Sequence, residues 1–142
     1  APSRAVIDPD APEFAAPTDM PAAIRTWCAA HGYPVPADDA ALMRLIFDSL
    51  AAKYAEVLGR LRSLAPFEIE CLHVIGGGAQ NDLLNRMTAD ACGIPVVAGP
   101  AEATALGNIM VQARAAGVVG SLSEMRQYIR RSIETKTYEP KK

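Results

Sequence analysis

The sequence predicts a helix-rich α/β fold, and three observations predict it. Two short β-compatible stretches, Glu70-Cys-Leu-His-Val-Ile75 and Ile94-Pro-Val-Val-Ala98, each run into glycine, Gly76-Gly77-Gly78 after the first and Gly99-Pro100 after the second. A helical pattern follows each of them. Upstream, apolar residues recur at threes and fours from Leu42 to Leu64, the strongest helical signal in the chain. The order strand, helix, strand, helix argues for two parallel strands with crossover helices covering the sheet.

The elements follow in order. The segment from Ala1 to Met20 carries Pro2, Pro9, Pro12 and Pro17, which suits an extended or turn-rich strap. Ile24, Trp27 and Cys28 then mark a short amphipathic helix over 21–31, capped by Thr18 or Asp19 and stopped by Gly32. Pro34 and Pro36 break the chain, and Asp38 or Asp39 caps the long helix, whose stripe is Leu42, Leu45, Ile46, Leu50, Tyr54, Val57, Leu58, Leu61 and Leu64. After the first strand, Asn81 opens a helix with Leu83, Leu84, Met87, Thr88 and Ala91 on its inner face and Gly93 at its end. A further helix spans 101–116, with Thr104, Ala105, Leu106 and Gly107 as a close-packing face and Glu102 in its first turn. The last helix is capped by Ser121 or Ser123 and runs to about Arg131. The tail from Thr135 to Lys142 has little to bury. Because two strands make a poor sheet, further strands are expected from a partner or from sequence before Ala1; the missing initiator Met favours the latter.

The 142 residues suit one core, and 50% hydrophobic with 21% charged residues excludes global disorder. A net charge of −2 supplies no polycationic field, so neither nucleic acid nor an anionic membrane is an expected partner. Three dispersed cysteines, Cys28, Cys71 and Cys92, cannot close a disulfide framework, which points to a reducing, cytoplasmic setting. His31 and His73 lack a second ligand at helical spacing, so no metal site is expected from the chain alone. His73, mid-strand, reads as a satisfied structural histidine and Asp90 as a solvated or capping acid. No catalytic dyad or nucleophile pair can be assembled from neighbouring residues.

The triple glycine is the most informative feature. Three glycines between a strand and a helix start let backbone approach a flat or anionic ligand with no Cβ in the way, and free amides at the helix start suit phosphate oxygens. The alternative is a tight turn that only packs. Neither the dinucleotide-fold glycine pattern nor a P-loop is present. Gln80 and Asn81 can hydrogen-bond a base edge or cap backbone amides, and the pattern favours the cap for Asn81.

The blocks His73-Val-Ile-Gly-Gly-Gly-Ala-Gln-Asn81, Leu83-Leu-Asn-Arg-Met-Thr-Ala-Asp90 and Gly99-Pro-Ala-Glu-Ala-Thr-Ala-Leu-Gly-Asn108 together resemble the carboxy-terminal domain of the FGGY carbohydrate kinases. The first block is similar to the adenosine-binding segment of the actin and hexokinase superfamily. The resemblance implies a fragment of an actin-like (ribonuclease H-like, ASKHA) domain. In it, 1–142 is the later part of the second domain, 1–38 a proline-rich strap with the short helix, and 39–142 the α/β nucleotide-binding portion. It implies ATP with Mg2+ as cofactors, a sugar as acceptor, and a cleft between two domains. Gly76, Gly77 and Gly78 would back the nucleotide, with Gln80 and Asn81 beside the adenosine. The catalytic Asp, the first phosphate loop, the sugar contacts and the metal ligands would precede Ala1. A piece of this kind, alone, is expected to self-associate or to be of low stability, and to be inactive. The alternatives are a sugar kinase of another specificity and a non-catalytic module in which the long helix pairs with a partner.

Overall fold

A computed structural model describes residues 5–141. The chain divides into two compact units, one through Glu68 and one from Ile69. The long helix therefore groups with the strap and the short helix, not with the strands.

In the first unit, α1 (Met20–Ala30) is capped by Asp19, whose carboxylate accepts the Ala22 N–H at 2.9 Å. Gly32, at φ +71°, releases the chain after it. The long helix α2 (Asp39–Leu64) is capped by Asp38, which accepts the Ala41 N–H at 2.7 Å. The proline-rich segment has one short 3-10 turn at Pro12–Phe14, and it works as core: Ala5, Ile7 and Phe14 are buried with Ile24 and Cys28 of α1 and Leu42 and Leu45 of α2. The beginning of the expected strap, 1–4, lies outside the described residues. Burial pushes the Cys28 thiol pKa up, so this cysteine behaves as a small apolar residue. Trp27 stacks on His31 with ring centroids 3.9 Å apart and lies parallel to Tyr33 at 5.6 Å, closing the end of α1.

Ser49 fastens the strap. Its Oγ donates to the Leu45 carbonyl at 2.7 Å and accepts the Ile7 N–H at 3.1 Å, and the side chain is buried. At the edge, Lys53 Nζ lies 3.0 Å from both Asp8 and Asp10. Those bonds, Asp10 first, raise the Lys53 pKa, while the Asp10 N–H and then Lys53 lower that of Asp8. The expected stripe of α2 is buried only in part. Leu42, Leu45 and Leu58 are covered, but Tyr54, Val57, Leu61 and Leu64 are exposed, Leu64 to 80%. Spacing sets which residues share a face; covering that face needs a neighbour.

The second unit holds a mixed three-stranded sheet in the order β1 (Leu72–Val74), β2 (Val96–Ala98), β3 (Lys136–Tyr138). The first two pair in parallel, Leu72 opposite Val96, across helix α3 (Asp82–Cys92). Both strands are shorter than the sequence suggests. The third corrects the expectation of two strands with a tail that buries little: β3 pairs antiparallel with β2, Val96 opposite Tyr138, and Tyr138 is 3% exposed. Helix α3 ends at Gly93, which adopts φ +67°. Its buried face is Asn85, Thr88, Ala89 and Cys92, whereas Leu83 and Ala91 are exposed; the expected face shared only Thr88. Helices α4 (Ala103–Ala115) and α5 (Leu122–Ser132) complete the unit, α5 capped by Ser121. No residue of α4 is buried; of the expected close-packing face, Thr104 and Ala105 are exposed and Leu106 and Gly107 only half-buried. His73 is likewise exposed rather than structural.

Replacing Ser49 by Ala should leave the Ile7 N–H buried without a partner and destabilise the first unit by roughly 1–3 kcal/mol. Leu64→Ala, on the open end of α2, should stay within about 0.5 kcal/mol of the parent, and urea unfolding of both variants checks the contrast.

Candidate functional site

The site is built where the two parallel strands end. After β1 the chain turns at Gly76, with φ +77° and ψ −164°, a conformation only glycine adopts freely. A 3-10 turn over Gly77–Gln80 follows, closed by bonds from the Ala79 N–H to the Gly76 carbonyl at 3.0 Å and from the Asn81 N–H to the Gly78 carbonyl at 3.1 Å. The turn after β2 is held against it. The Gly76 N–H donates to the Pro100 carbonyl at 3.1 Å, and the Gly99 N–H donates to the Val74 carbonyl at 2.8 Å. The two glycine turns are thus one hydrogen-bonded unit.

Gly77 and Gly78 differ from Gly76. Neither needs a positive φ; a Cβ on Gly77 would meet nothing within 4 Å, and one on Gly78 only Val74 Cγ1 at 3.8 Å. Their N–H groups find no acceptor among the described residues. The chain's own fold gives no reason for glycine at either position, and two unpaired donors side by side suit an anion.

Asn81 caps α3, its Oδ1 accepting the Leu84 N–H at 3.0 Å. Gln80 is exposed and lines a hollow of about 650 Å³ beside the turn. Asn81 is not among the residues that line it, so the structure separates the two carboxamides. The hollow has three walls: Ala79 and Gln80, residues 98–102, and residues 133–136. Glu102 stands in the second of these, just before α4, with no capping bond.

Two contributors went unread in the sequence. Asn85, 1% exposed, donates through Nδ2 to the Ala79 carbonyl at 3.0 Å and reaches the Gly78 carbonyl at 3.4 Å, so it holds the turn from beneath. The available signal was a carboxamide one helical turn after the cap. Asp82, the first residue of α3, binds Lys136 Nζ at 2.7 Å and accepts from the Tyr138 hydroxyl, joining the helix start to β3. Those two bonds, Lys136 first, lower the Asp82 pKa. The Arg86 guanidinium and the Lys136 ammonium lie 5.8 and 5.1 Å from the Tyr138 ring centroid. Asp90 accepts the Lys141 N–H at 2.8 Å. Among the described residues no group of His, Cys, Asp and Glu could hold a metal ion, and no helix is long and apolar enough to cross a membrane.

Strand ends tied into one platform, turn amides without an acceptor among the described residues and an adjoining hollow form one candidate binding site in the second unit. The profile of the FGGY family of carbohydrate kinases, C-terminal domain, matches residues 1–116, and the chain belongs to that family. It is similar to rhamnulokinases. That of Bacteroides thetaiotaomicron is 55% identical over 139 residues, covering 98% of this chain and 29% of the relative. That of Klebsiella pneumoniae is 46% identical over 137 residues, 96% of this chain and 28% of the relative. That of Pectobacterium carotovorum is 45% identical over 136 residues, 96% and 27%. The chain thus spans less than a third of the length of the curated relatives it matches.

Asn85→Ala should lower stability by roughly 1–3 kcal/mol through the loss of the turn's buried donor. Asn81→Ala should remove a cap at a cost of about 1 kcal/mol. Urea unfolding of both variants checks the order, and an Asn85→Ala variant as stable as the parent would remove Asn85 from the account.

Proposed function

We propose that this chain is the nucleotide-holding part of the second, actin-like domain of a rhamnulokinase, which transfers the γ-phosphoryl group of ATP to the 1-hydroxyl of L-rhamnulose in the cytoplasm. The observation that carries the proposal is the pair of unpaired amides at Gly77 and Gly78, at a turn locked to the second strand end and opening beside the hollow. In this account Gly76, Gly77 and Gly78 back the nucleotide phosphates and Gln80 lies by the adenosine. Asn81 shapes the turn through its cap.

The transfer forms a bond from the sugar oxygen to the γ-phosphorus, breaks the bond to the β,γ-bridging oxygen and releases ADP, with the hydroxyl proton taken by a base. No described residue beside the turn is placed as that base, so the base is assigned to the part of the relatives that this chain does not span. Mg2+, when bound with the nucleotide, would supply charge neutralisation at the phosphates. The donor set beside the turn does not fit a metal, so the ion is assigned to the nucleotide and to ligands outside the chain. The similarity to rhamnulokinases favours L-rhamnulose over the acceptors of xylulokinase-like or glycerol kinase-like members.

The exposed apolar residues of both units, among them Leu61, Leu64 and Phe67 in the first and Ile109, Val111 and Val118 in the second, are surfaces for the remainder of such a kinase. A module that only pairs with another protein would bind no nucleotide, so a titration with ADP separates it from a kinase domain.

In the intact kinase, Gly77→Val should raise the KM for ATP about tenfold or more while leaving the KM for L-rhamnulose unchanged, because the new side chain occupies space that the fold itself leaves open. Unchanged ATP kinetics in a folded variant would overturn the assignment. The isolated chain should self-associate in light scattering and release no ADP when L-rhamnulose is added; sugar-dependent turnover by the chain alone would refute the division of labour.

A further inference from the structure

The two glycine turns supply two walls of the hollow, and the third belongs to neither of them. Residues 133–136, between α5 and β3, lie beyond the 1–116 stretch matched by the family profile and carry no motif, yet they line the same space as Gln80 and Glu102. They are also firmly held. On one side β3 pairs with β2, Tyr138 is buried, and Asp82 binds both Lys136 and the Tyr138 hydroxyl. On the other side the wall presses on the second turn. The Glu134 carbonyl lies 3.4 Å, and Thr135 Cα and Cγ2 3.7 Å, from where a Cβ on Gly99 would stand. Gly99 adopts φ +113°, so backbone meets backbone at a residue where a side chain is doubly excluded.

The geometry points to residues 133–136 as a third wall of the nucleotide site, with Thr135 facing the nucleoside and Asp82 as the positioning residue that holds the wall through Lys136 and Tyr138. This rests on the nucleotide assignment of the glycine turn. The chemistry of the hollow selects the portion of the ligand. At about 650 Å³ it falls within the range of small-molecule sites. Its apolar lining comes from Ala79, Ala98, Pro100, Ala101 and Ile133, and its polar side chains belong to Gln80, Thr135, Glu102, Glu134 and Lys136, the last already paired with Asp82. With the Lys136 ammonium neutralised by Asp82, the two carboxylates leave the hollow acidic, which repels phosphate but lets them accept hydrogen bonds from ribose hydroxyls, as acidic residues do in other nucleotide sites. The neutral nucleoside therefore belongs in the hollow and the phosphates at the unpaired amides of Gly77 and Gly78.

Labelling tests the wall directly. Thr135 is exposed, so Thr135→Cys is a small change that preserves the fold, and iodoacetamide modification at this position can be followed by peptide mass in the intact kinase. Saturating ADP should slow that modification about tenfold or more, while L-rhamnulose alone leaves it unchanged. An unchanged rate under ADP overturns the wall. If Gly77→Val raises the KM for ATP and Cys at 135 is not protected, the wall alone fails; if Gly77→Val leaves ATP kinetics untouched, the glycine-turn assignment fails first. For Asp82, Asp82→Asn should raise the KM for ATP several-fold with kcat and the sugar KM held within about twofold, a split that a general loss of stability does not produce. A lowered melting temperature with the KM for ATP unchanged would remove the positioning role.

Discussion

The architecture of the second unit depends on one exchange of hydrogen bonds, Gly76 N–H to the Pro100 carbonyl and Gly99 N–H to the Val74 carbonyl. Each pair of strands shares only three residues, too short a ladder to orient long loops alone. The exchange carries the pairing past the strand ends into the turns, so that both move as one piece. Everything nearby builds on that registration. Asn85 grips the turn's carbonyls from α3, Asn81 starts α3 in line with it, and the amides of Gly77 and Gly78 are left without an acceptor among the described residues.

Such a platform suits phosphoryl transfer, in which positioning and electrostatics carry most of the catalysis. A domain can hold the nucleotide without owning the base, the metal ligands or the acceptor sugar. The chemistry-bearing side chains near the turn illustrate this. Asp82 is committed to Lys136 and Tyr138, Asp90 to Lys141, and His73 stands exposed on its strand. The acids closest to the glycine turn are spent on geometry.

What the sequence made legible was local. Helix starts at Asp19, Asp38, Asn81 and Ser121 were readable because a side chain three residues upstream of a free amide leaves its mark in a short window. The glycine turns were readable because Gly76 and Gly99 need backbone angles that other residues resist. Strand β3 was not, since Lys136-Thr-Tyr138 alternates polar and aromatic groups over only three residues and owes its place to Asp82, 56 residues away from Tyr138 in sequence. The inner face of α3 was misread for a related reason: the turn's carbonyls require a donor, so Asn85 faces inward and Leu83 outward, against the hydrophobic ranking. The far half of α2 shows the opposite limit, an apolar stripe that the described residues leave uncovered. Of the candidate site, the turn and the cap were legible and the third wall of the hollow was not.

The stacked end of α1 has an optical consequence. Trp27 is the chain's one tryptophan, and it sits in the first unit among Phe14, His31 and Tyr33. The indole emission of this chain is therefore a local beacon. It reports the packing of the strap against α1, whereas the four tyrosines are divided, Tyr33 and Tyr54 in the first unit and Tyr128 and Tyr138 in the second. A tyrosine transition with no matching tryptophan change on the same sample therefore marks melting of the second unit without any added label.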